Sequence, residues 1–319
     1  MRYYAGIDLG GTNIAVGIVD ENYKIIGRGK MKTNAPRAAE LIADDMAAAT
    51  RAAVQDANID ISQIEWVGIG TPGTVNQQTG EIEYANNLYF RNVPMVKMLK
   101  ERLGKSVYME NDANAAVYGE ALAGAAKGRS NVIGITLGTG VGGGIIIDGK
   151  IYSGFNFSGA ELGHTVIVYD GRQCTCGRKG CFEAYSSATG LINMTKDYLT
   201  QHPGSAMWKL VDSDINKVNG RVAFDAMRGG VEGGKEIVDT YLNYLGCGLV
   251  NMINIFQPEI LFLGGGISKE GETILKPLRE YIKREVYTKY SEKNTELCVA
   301  QLGNDAGIIG AAFLGNLYA

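Results

Sequence analysis

Residues Tyr3–Asp20 have the sequence YYAGIDLGGTNIAVGIVD. Apolar residues run up to Leu9, the glycine pair Gly10 and Gly11 follows, and a second apolar run leads to Asp20. Runs rich in Ile and Val on either side of a glycine pair are typical of two strands joined by a tight turn. We therefore expect the chain to open with a strand, a glycine turn and a second strand.

Residues 134–148, GITLGTGVGGGIIID, match residues 6–20 without a gap. Gly, Ile, Leu and Asp recur at matched places, although glycine turns between Ile/Val strands can look alike by chance. Because each copy opens one half of the chain, we interpret them as the first units of two related domains. Strand-like and helix-like segments alternate through both halves, which predicts an α/β fold.

The bulk composition is that of a folded protein rather than a disordered one. A length of 319 residues is sufficient for two domains. The contents of hydrophobic (45%) and charged (20%) residues are typical of a folded globular protein. The 44 glycines are unusual, since they amount to roughly twice the usual fraction of about 7%. They cluster in short loops between apolar runs, as turns that approach phosphate closely require.

Net charge and cysteine content limit the kinds of binding partner and the cellular compartment that fit this sequence. The net charge of −3 and the absence of a long basic run do not suggest nucleic acid as a partner. No run of 18 apolar residues occurs, so we expect no membrane span. Five cysteines, three of them close together, argue against a secreted disulfide framework. We expect a cytoplasmic protein without a signal peptide, because a strand-like run follows Met1 almost at once.

Three glycine turns carry the first chemical prediction. They lie at Asp8–Asn13, Gly138–Gly144 and Gly264–Gly266. Backbone N–H groups in such turns can close on phosphate oxygens, and Asp8 could hold Mg²⁺ or its water shell. Neither of the first two turns has the Gly-Lys-Ser/Thr ending of a P-loop, and both return to a strand instead of opening a helix. A hairpin with an incidental Asp explains the first turn alone, but three such turns favour binding of a nucleotide polyphosphate.

Glu110–Asn114, with the sequence ENDAN, lies where a strand gives way to a helix. By itself this is most simply a helix N-cap, since Asn and Asp are preferred there. An aspartate at this place can also accept the proton of a sugar hydroxyl that attacks phosphorus, as in the kinase template.

The segment Glu161–Glu183 is the densest in chemically capable side chains. It holds three of the five cysteines and one of the two histidines, and a glutamate stands at each end. One histidine with three cysteines makes a standard closed tetrahedral zinc set, and redox chemistry is the rival interpretation. The paired carboxylates could serve a glycosidase. That interpretation leaves the glycine turns unexplained, whereas carboxylates that bind a polyol are compatible with them.

Taken in order, these motifs resemble the ROK family of sugar kinases and repressors, and within it the bacterial glucokinases. The resemblance covers essentially the whole chain. It rests on the following segments: Gly6–Thr12, Thr71–Gly73, Glu110–Asn114, Leu137–Gly144, Glu161–His164, Cys174–Glu183, Leu263–Gly266 and Leu302–Gly307.

The resemblance implies a two-domain actin-like ATPase (ribonuclease H-like) fold with a cleft between the domains. The smaller N-terminal domain would comprise residues 1–115 plus 304–319. The larger C-terminal domain would comprise residues 116–303 and carry the zinc knuckle.

The resemblance also implies a role for each site residue. Asp112 would be the catalytic base that takes the proton of the sugar 6-hydroxyl. The implied sugar ligands are Gly73, Asn111, Asp112, Glu161, His164 and Glu183. The implied ATP contacts are Asp8, Gly10, Gly11, Thr12, Asn13, Gly138, Thr139, Gly140, Gly265 and Gly266. The implied ligands of a structural Zn²⁺ are His164, Cys174, Cys176 and Cys181.

The predicted function is ATP- and Mg²⁺-dependent phosphorylation of glucose at its 6-hydroxyl, the first step of glycolysis, by a glucokinase expected to be a homodimer. Another ROK hexose kinase, acting on mannose, fructose, allose or an N-acetylhexosamine, is the alternative. A sugar-sensing regulator of the same family is disfavoured, because such regulators carry a helix-turn-helix ahead of the first glycine turn and only a few residues precede Gly6 here.

Overall fold

The computed structural model describes residues 2–319, which form two compact units. The first unit comprises residues 2–133, Gly144–Ala160 and Ala300–Ala319. The second unit comprises Gly134–Gly143 and Glu161–Val299. The first unit thus includes residues 116–133, 144–160 and 300–303, which were expected from the sequence to lie in the C-terminal domain.

The first unit is built on a five-stranded sheet in which three parallel strands end at one edge. The order is β3-β2-β1-β4-β8, with strands numbered along the chain: β1 (Tyr3–Leu9), β2 (Asn13–Asp20), β3 (Ile25–Lys32), β4 (Ile64–Thr71) and β8 (Ser106–Asn111). β1 pairs antiparallel with β2 and parallel with β4, and β4 pairs parallel with β8. In this register Asp8 lies opposite Gly70, and Gly70 lies opposite Glu110. The register therefore brings the carboxyl ends of β1 and β8 to the same edge.

A smaller sheet and five α-helices complete the described part of the first unit. The strands are β5 (Thr74–Asn76), β6 (Glu81–Ala85) and β7 (Phe90–Val93), and the helices are α1 (Ala39–Asp56), α2 (Met95–Leu103), α3 (Asp112–Ala123) and α9 (Asp305–Ala312). A fifth helix, α10 (Gly315–Tyr318), ends the chain. Apolar faces of the large sheet, of α1 and of α2 form one continuous core that includes Ile7, Met46 and Ile69.

Helices α3 and α9 pack backbone to backbone. A Cβ placed on Gly310 would lie 1.7 Å from the carbonyl oxygen of Ala115, and one placed on Gly119 would lie 2.1 Å from that of Ala306. No side chain fits in such a contact, so both positions require glycine. This packing runs through α3 beyond residue 115, which is why the helix belongs to one unit throughout.

A second five-stranded sheet repeats the arrangement of the first. Its order is β11-β10-β9-β12-β13, with strands β9 (Val132–Leu137), β10 (Val141–Ile147), β11 (Lys150–Ile151), β12 (Ile260–Gly265) and β13 (Glu296–Val299). The two glycine hairpins, β1–β2 and β9–β10, occupy equivalent places in the two orders. This supports the interpretation of residues 6–20 and 134–148 as related units.

The α-helices of the second unit all follow the cysteine-rich segment in the chain. They are α4 (Phe182–Ser186), α5 (Ala188–Gln201), α6 (Val222–Arg228), α7 (Gly234–Phe256) and α8 (Glu272–Glu285). Helix α7 buries one face from Ile237 to Ile253 and exposes polar residues such as Glu236, Asp239 and Asn243 on the other, as is typical of an amphipathic helix. No helix in residues 2–319 is both long and apolar enough to cross a lipid bilayer.

The chain is mixed α/β, as predicted. The last segment of the chain forms two helices, because α9 ends at Ala312 and α10 begins at Gly315.

Candidate active site and metal centre

The turn from β8 into α3 places Asn111 and Asp112 at the carboxyl edge of the first sheet. Asn111 is the N-cap: its side-chain oxygen accepts the N–H groups of Ala113 at 2.9 Å and Asn114 at 3.2 Å. Its Nδ2 donates to the carbonyl of Gly73 at 3.1 Å. The N-cap interpretation is thus right for Asn111. Asp112 is the first residue of the helix and not its N-cap, so capping does not account for its carboxylate.

Asp112 and Asp8 are two acidic groups held in partly buried places. Burial raises the pKa of Asp112, although the N–H group of Ala113, 2.8 Å from its Oδ1, opposes this shift. The pKa of Asp8 is raised from 3.8 to about 6, first by burial and second by repulsion from Asp112. Two neighbouring carboxylates favour a proton or a cation between them. They therefore suit proton transfer and binding of a hard divalent cation.

The first glycine turn is stabilised by its own backbone and by the end of β3. Gly10 donates its N–H group to the carbonyl of Asn13 at 2.9 Å and accepts the hydroxyl of Thr33 at 2.6 Å. Lys32 Nζ donates to the side-chain oxygen of Asn13 at 2.9 Å. Thr12, at the tip, is exposed, so the turn offers a hydroxyl and a nearby cation to an anionic ligand.

The second and third glycine turns lie together within the second unit. A Cβ on Gly265, whose φ is +85°, would lie 2.4 Å from the carbonyl oxygen of Leu137, the residue before the Gly138 turn. Glycine is required there both by its dihedral angle and by this approach. The structure therefore brings Gly265 next to the Gly138–Gly140 turn, and Thr139 at the tip is exposed.

Four metal-ligand side chains converge at the Cys174–Cys181 loop. The candidate ligand atoms of His164, Cys174, Cys176 and Cys181 all lie within 4.8 Å of one another. Cys174 Sγ lies 3.7 Å from His164 Nδ1, and Cys176 Sγ lies 3.7 Å from Cys181 Sγ. Ligand atoms about 2.0–2.3 Å from a tetrahedral zinc ion would be about 3.5–3.8 Å apart. The donor set and its spacing fit zinc, with Nδ1 as the histidine ligand and Nε2 left for another partner.

The two glutamates that flank the metal cluster differ in their surroundings. Glu161 is exposed at the start of the short turn that ends at His164. Glu183 lies on α4 and is half-buried. Its Oε2 accepts the N–H group of Val141 at 2.9 Å, and its Oε1 accepts the hydroxyl of Thr175 at 3.1 Å. Its assignment as a sugar ligand stays a prediction, whereas its bonds to the glycine turn were not foreseen.

Glu110 is the site residue that sequence reasoning missed. It is 1% exposed, and each carboxylate oxygen accepts several hydrogen bonds. Oε1 accepts from the backbone N–H of Asn111 at 2.8 Å and from the side-chain amide of Asn114 at 3.1 Å. Oε2 accepts from Gln77 Nε2 at 2.6 Å, Ser153 Oγ at 3.0 Å and Tyr318 Oη at 2.6 Å. Glu110 thus joins the turn that carries Asp112 to three remote segments. The sequence does contain one sign of this role, because an acidic residue within an apolar strand needs hydrogen-bond partners once it is buried.

The predicted site residues fall into two groups, one in each unit. Those in the first unit are Asp8, Gly10, Gly11, Thr12, Asn13, Gly73, Asn111 and Asp112. Those in the second unit are Gly138, Thr139, Gly140, Glu161, His164, Cys174, Cys176, Cys181, Glu183, Gly265 and Gly266.

Similarity to known proteins agrees with this geometry. The chain is 39% identical over 314 residues to a glucokinase of Streptomyces coelicolor, covering 97% of this chain and 96% of that protein. The crystal structure of a ROK family glucokinase from Streptomyces griseus, in complex with glucose and AMPPNP, superposes with a TM-score of 0.78 at 37% identity, covering 98% of both chains. The ROK hexokinase from Thermus thermophilus superposes with a TM-score of 0.83 at 31% identity, covering 99% of this chain and 98% of that one.

These likenesses settle the fold and the family. The neighbours have the actin-like ATPase fold, so the predicted fold class is confirmed. Residues 4–316 match the ROK family over nearly the whole chain. The predicted resemblance is confirmed, and the chain belongs to the ROK family.

Proposed function

We propose that this protein is a glucokinase that transfers the γ-phosphoryl group of ATP to the 6-hydroxyl of glucose. The observation that carries the proposal is the turn at Asn111–Asp112, where a partly buried aspartate of raised pKa starts a helix next to Asp8. The match to glucokinases over nearly the full length supports the same enzyme class and confirms the predicted function.

In the proposed reaction, Asp112 accepts the proton of the 6-hydroxyl as that oxygen attacks the γ-phosphorus. A bond forms between this oxygen and phosphorus, and the bond from phosphorus to the β-γ bridging oxygen breaks, releasing ADP. A raised pKa matches Asp112 better to the basicity needed near neutral pH. Asp8 supplies carboxylate oxygen suited to Mg²⁺, which when bound neutralises the charge of the phosphates.

We further propose how the side chains divide the two substrates. Glucose is held in the first unit by Asn111, Asp112 and the backbone near Gly73. In the second unit it is held by Glu161, His164 and Glu183. The phosphates of ATP are bound by the turns at Asp8–Asn13 and Gly138–Gly140, and its nucleoside part lies near Gly265 and Gly266. Zinc held by His164 and the three cysteines is structural, because four protein ligands complete its tetrahedron.

The test is a coupled assay of ADP release with ATP and a panel of hexoses. Glucose should give the highest kcat/KM, and the product should be the 6-phosphate. A preference for mannose, fructose, allose or an N-acetylhexosamine would identify the alternative ROK hexose kinase. Sugar binding without release of ADP in the presence of any hexose would contradict the proposed kinase activity and favour a sugar-sensing regulator.

We also propose a cytoplasmic homodimer. The cytoplasm is supported by the odd number of cysteines and by the metal-ligand spacing of three of them, which requires reduced thiols. Sedimentation at several protein concentrations tests the oligomeric state, and a monomer throughout would contradict the dimer.

A further inference from the structure

Glu183 joins the metal-binding loop to the second glycine turn. Its Oε1 accepts the hydroxyl of Thr175, which stands between the ligands Cys174 and Cys176. Its Oε2 accepts the backbone N–H of Val141 in the glycine turn. A single carboxylate therefore touches both structures, one with each oxygen.

The contact between Glu183 and the turn is direct and tight. A Cβ placed on Gly140 would lie 2.3 Å from Glu183 Oε2. No side chain larger than glycine fits between the carboxylate and the turn unless Glu183 moves. The carboxylate of Glu183 thus lies directly against the backbone at Gly140–Val141 and accepts a hydrogen bond from it.

The chain that follows Glu183 makes two more bonds to the same turn. The N–H group of Ala188 donates to the carbonyl of Gly138 at 2.8 Å, and Thr189 Oγ1 donates to the carbonyl of Thr139 at 2.7 Å. Helix α4 links these bonds to the metal ligand Cys181, which is its N-cap. Only seven residues lie between Cys181 and Thr189, so the ligand and the residues bonded to the turn belong to one short segment.

We propose that the segment Cys181–Thr189 couples zinc binding to nucleotide binding, with Glu183 as the positioning residue. When zinc closes the loop, Thr175 is fixed, Glu183 is held, and the glycine turn is ordered for phosphate before any sugar is bound. This rests on the proposed function, in which the turn at Gly138–Gly140 contacts ATP. Zinc would then support nucleotide binding through Glu183 as well as position His164 for the sugar.

The expected effect of zinc on nucleotide affinity follows from the strength of the hydrogen bond between Thr175 and Glu183. A hydrogen bond to a charged group contributes enough to change an equilibrium by about 10-fold or more. Removing zinc frees Thr175 and with it one such bond to Glu183. We therefore expect zinc-free protein to bind nucleotide at least about 10-fold more weakly than zinc-loaded protein.

The experiment is isothermal titration of Mg²⁺ and a non-hydrolysable ATP analogue into the full chain without sugar. The proteins are the wild type and Glu183→Ala, each zinc-loaded and zinc-stripped. Zinc removal should weaken binding in the wild type and change it less than about twofold in Glu183→Ala, because the link is already broken. Equal affinity of the two wild-type forms would overturn the proposal, as would an equal loss in Glu183→Ala.

Two threonine substitutions, Thr175→Val as the test and Thr165→Val as its matched control, leave all four candidate metal ligands in place. Thr175→Val removes the hydroxyl that holds Glu183 and should weaken nucleotide binding in zinc-loaded protein. Thr165→Val removes a hydroxyl of the same region that donates to the carbonyl of Leu162 at 2.8 Å, and it should leave nucleotide affinity unchanged. Equal affinities of the two variants would also overturn the proposal, even if Glu183→Ala does not fold. Zinc-loaded wild type that binds no nucleotide would instead contradict the proposed function.

Discussion

Replacing Asp8 by asparagine should stabilise the first unit at pH 8, although it should harm activity. Asp8 has a folded-state pKa of about 6 against an ordinary value of 3.8, because burial and Asp112 disfavour its charge. An acid whose pKa is raised on folding binds protons more tightly in the folded state. Its ionisation therefore costs stability as pH rises through the window from about 4 to 6. An asparagine at this position would carry no charge and no such cost.

The magnitude follows from the difference between the two pKa values of Asp8. At about 1.4 kcal/mol for each pH unit, it corresponds to a free energy of up to about 3 kcal/mol at pH 8. At pH 5 the charge is only partly formed in the folded state, so about half of that difference remains. The Asp8→Asn variant should therefore be more stable than wild type by a margin that shrinks as pH falls.

Urea unfolding at pH 8 and pH 5, without Mg²⁺ or nucleotide, measures this margin. Asp20→Asn is a control of the same chemistry at the end of the adjacent strand. The Asp20 side-chain oxygen accepts the N–H groups of Asn22 and Lys24, both at 2.9 Å; an asparagine oxygen can accept the same bonds, so this replacement should not stabilise the protein at pH 8. A variant Asp8→Asn that is no more stable than wild type at pH 8 would refute the argument that this carboxylate is destabilised by burial.

Other predictions concern the catalytic turn and the metal. Asp112→Asn should keep sugar binding and lower kcat by about 10²–10⁴, the range for a lost general base; near-normal turnover would remove Asp112 from that role. Because burial raises the pKa of Asp112, kcat/KM should fall as pH falls through a value above 3.8, and a pH–rate profile that shows no acidic loss above pH 4 would contradict this. Tyr318→Phe removes the bond to Glu110 and should cost about 1.5–3 kcal/mol in urea unfolding, whereas Tyr290→Phe, at a ring that is 91% exposed, should cost nothing measurable. Chelating zinc should weaken glucose binding by freeing His164, and unchanged affinity in metal-free protein would exclude that role.

Much of the candidate site could be read from the sequence because its parts are local. The glycine hairpins need only a few adjacent residues whose dihedral angles and lack of side chain are set by composition. The metal cluster could be predicted because its three cysteines lie within one short loop, and their side chains have few other reasons to be grouped. Asn111 could be recognised as a cap, since capping depends on neighbours two and three residues along the chain.

Interactions between residues that are far apart in the chain could not be predicted from the sequence. Nothing near Glu110 in the chain indicates that Gln77, Ser153 and Tyr318 would donate to it, because these residues come from segments far apart. The raised pKa of Asp8 likewise depends on burial and on Asp112, about a hundred residues away. Residues 116–133 were also expected outside the first unit, since the contact of α3 with α9 cannot be seen in either helix alone.

The strand–glycine turn–strand units, the cluster of one histidine with three cysteines and the aspartate that starts α3 could be predicted from the sequence alone. These depend on residue type and short spacing, and they would be the same in any fold that kept those segments intact. The tertiary structure decided which carboxylates are buried, which donors satisfy them and that Glu183 binds the glycine turn. Burial and hydrogen bonding at these places result from packing between remote segments, so their energies exist only once the chain is folded.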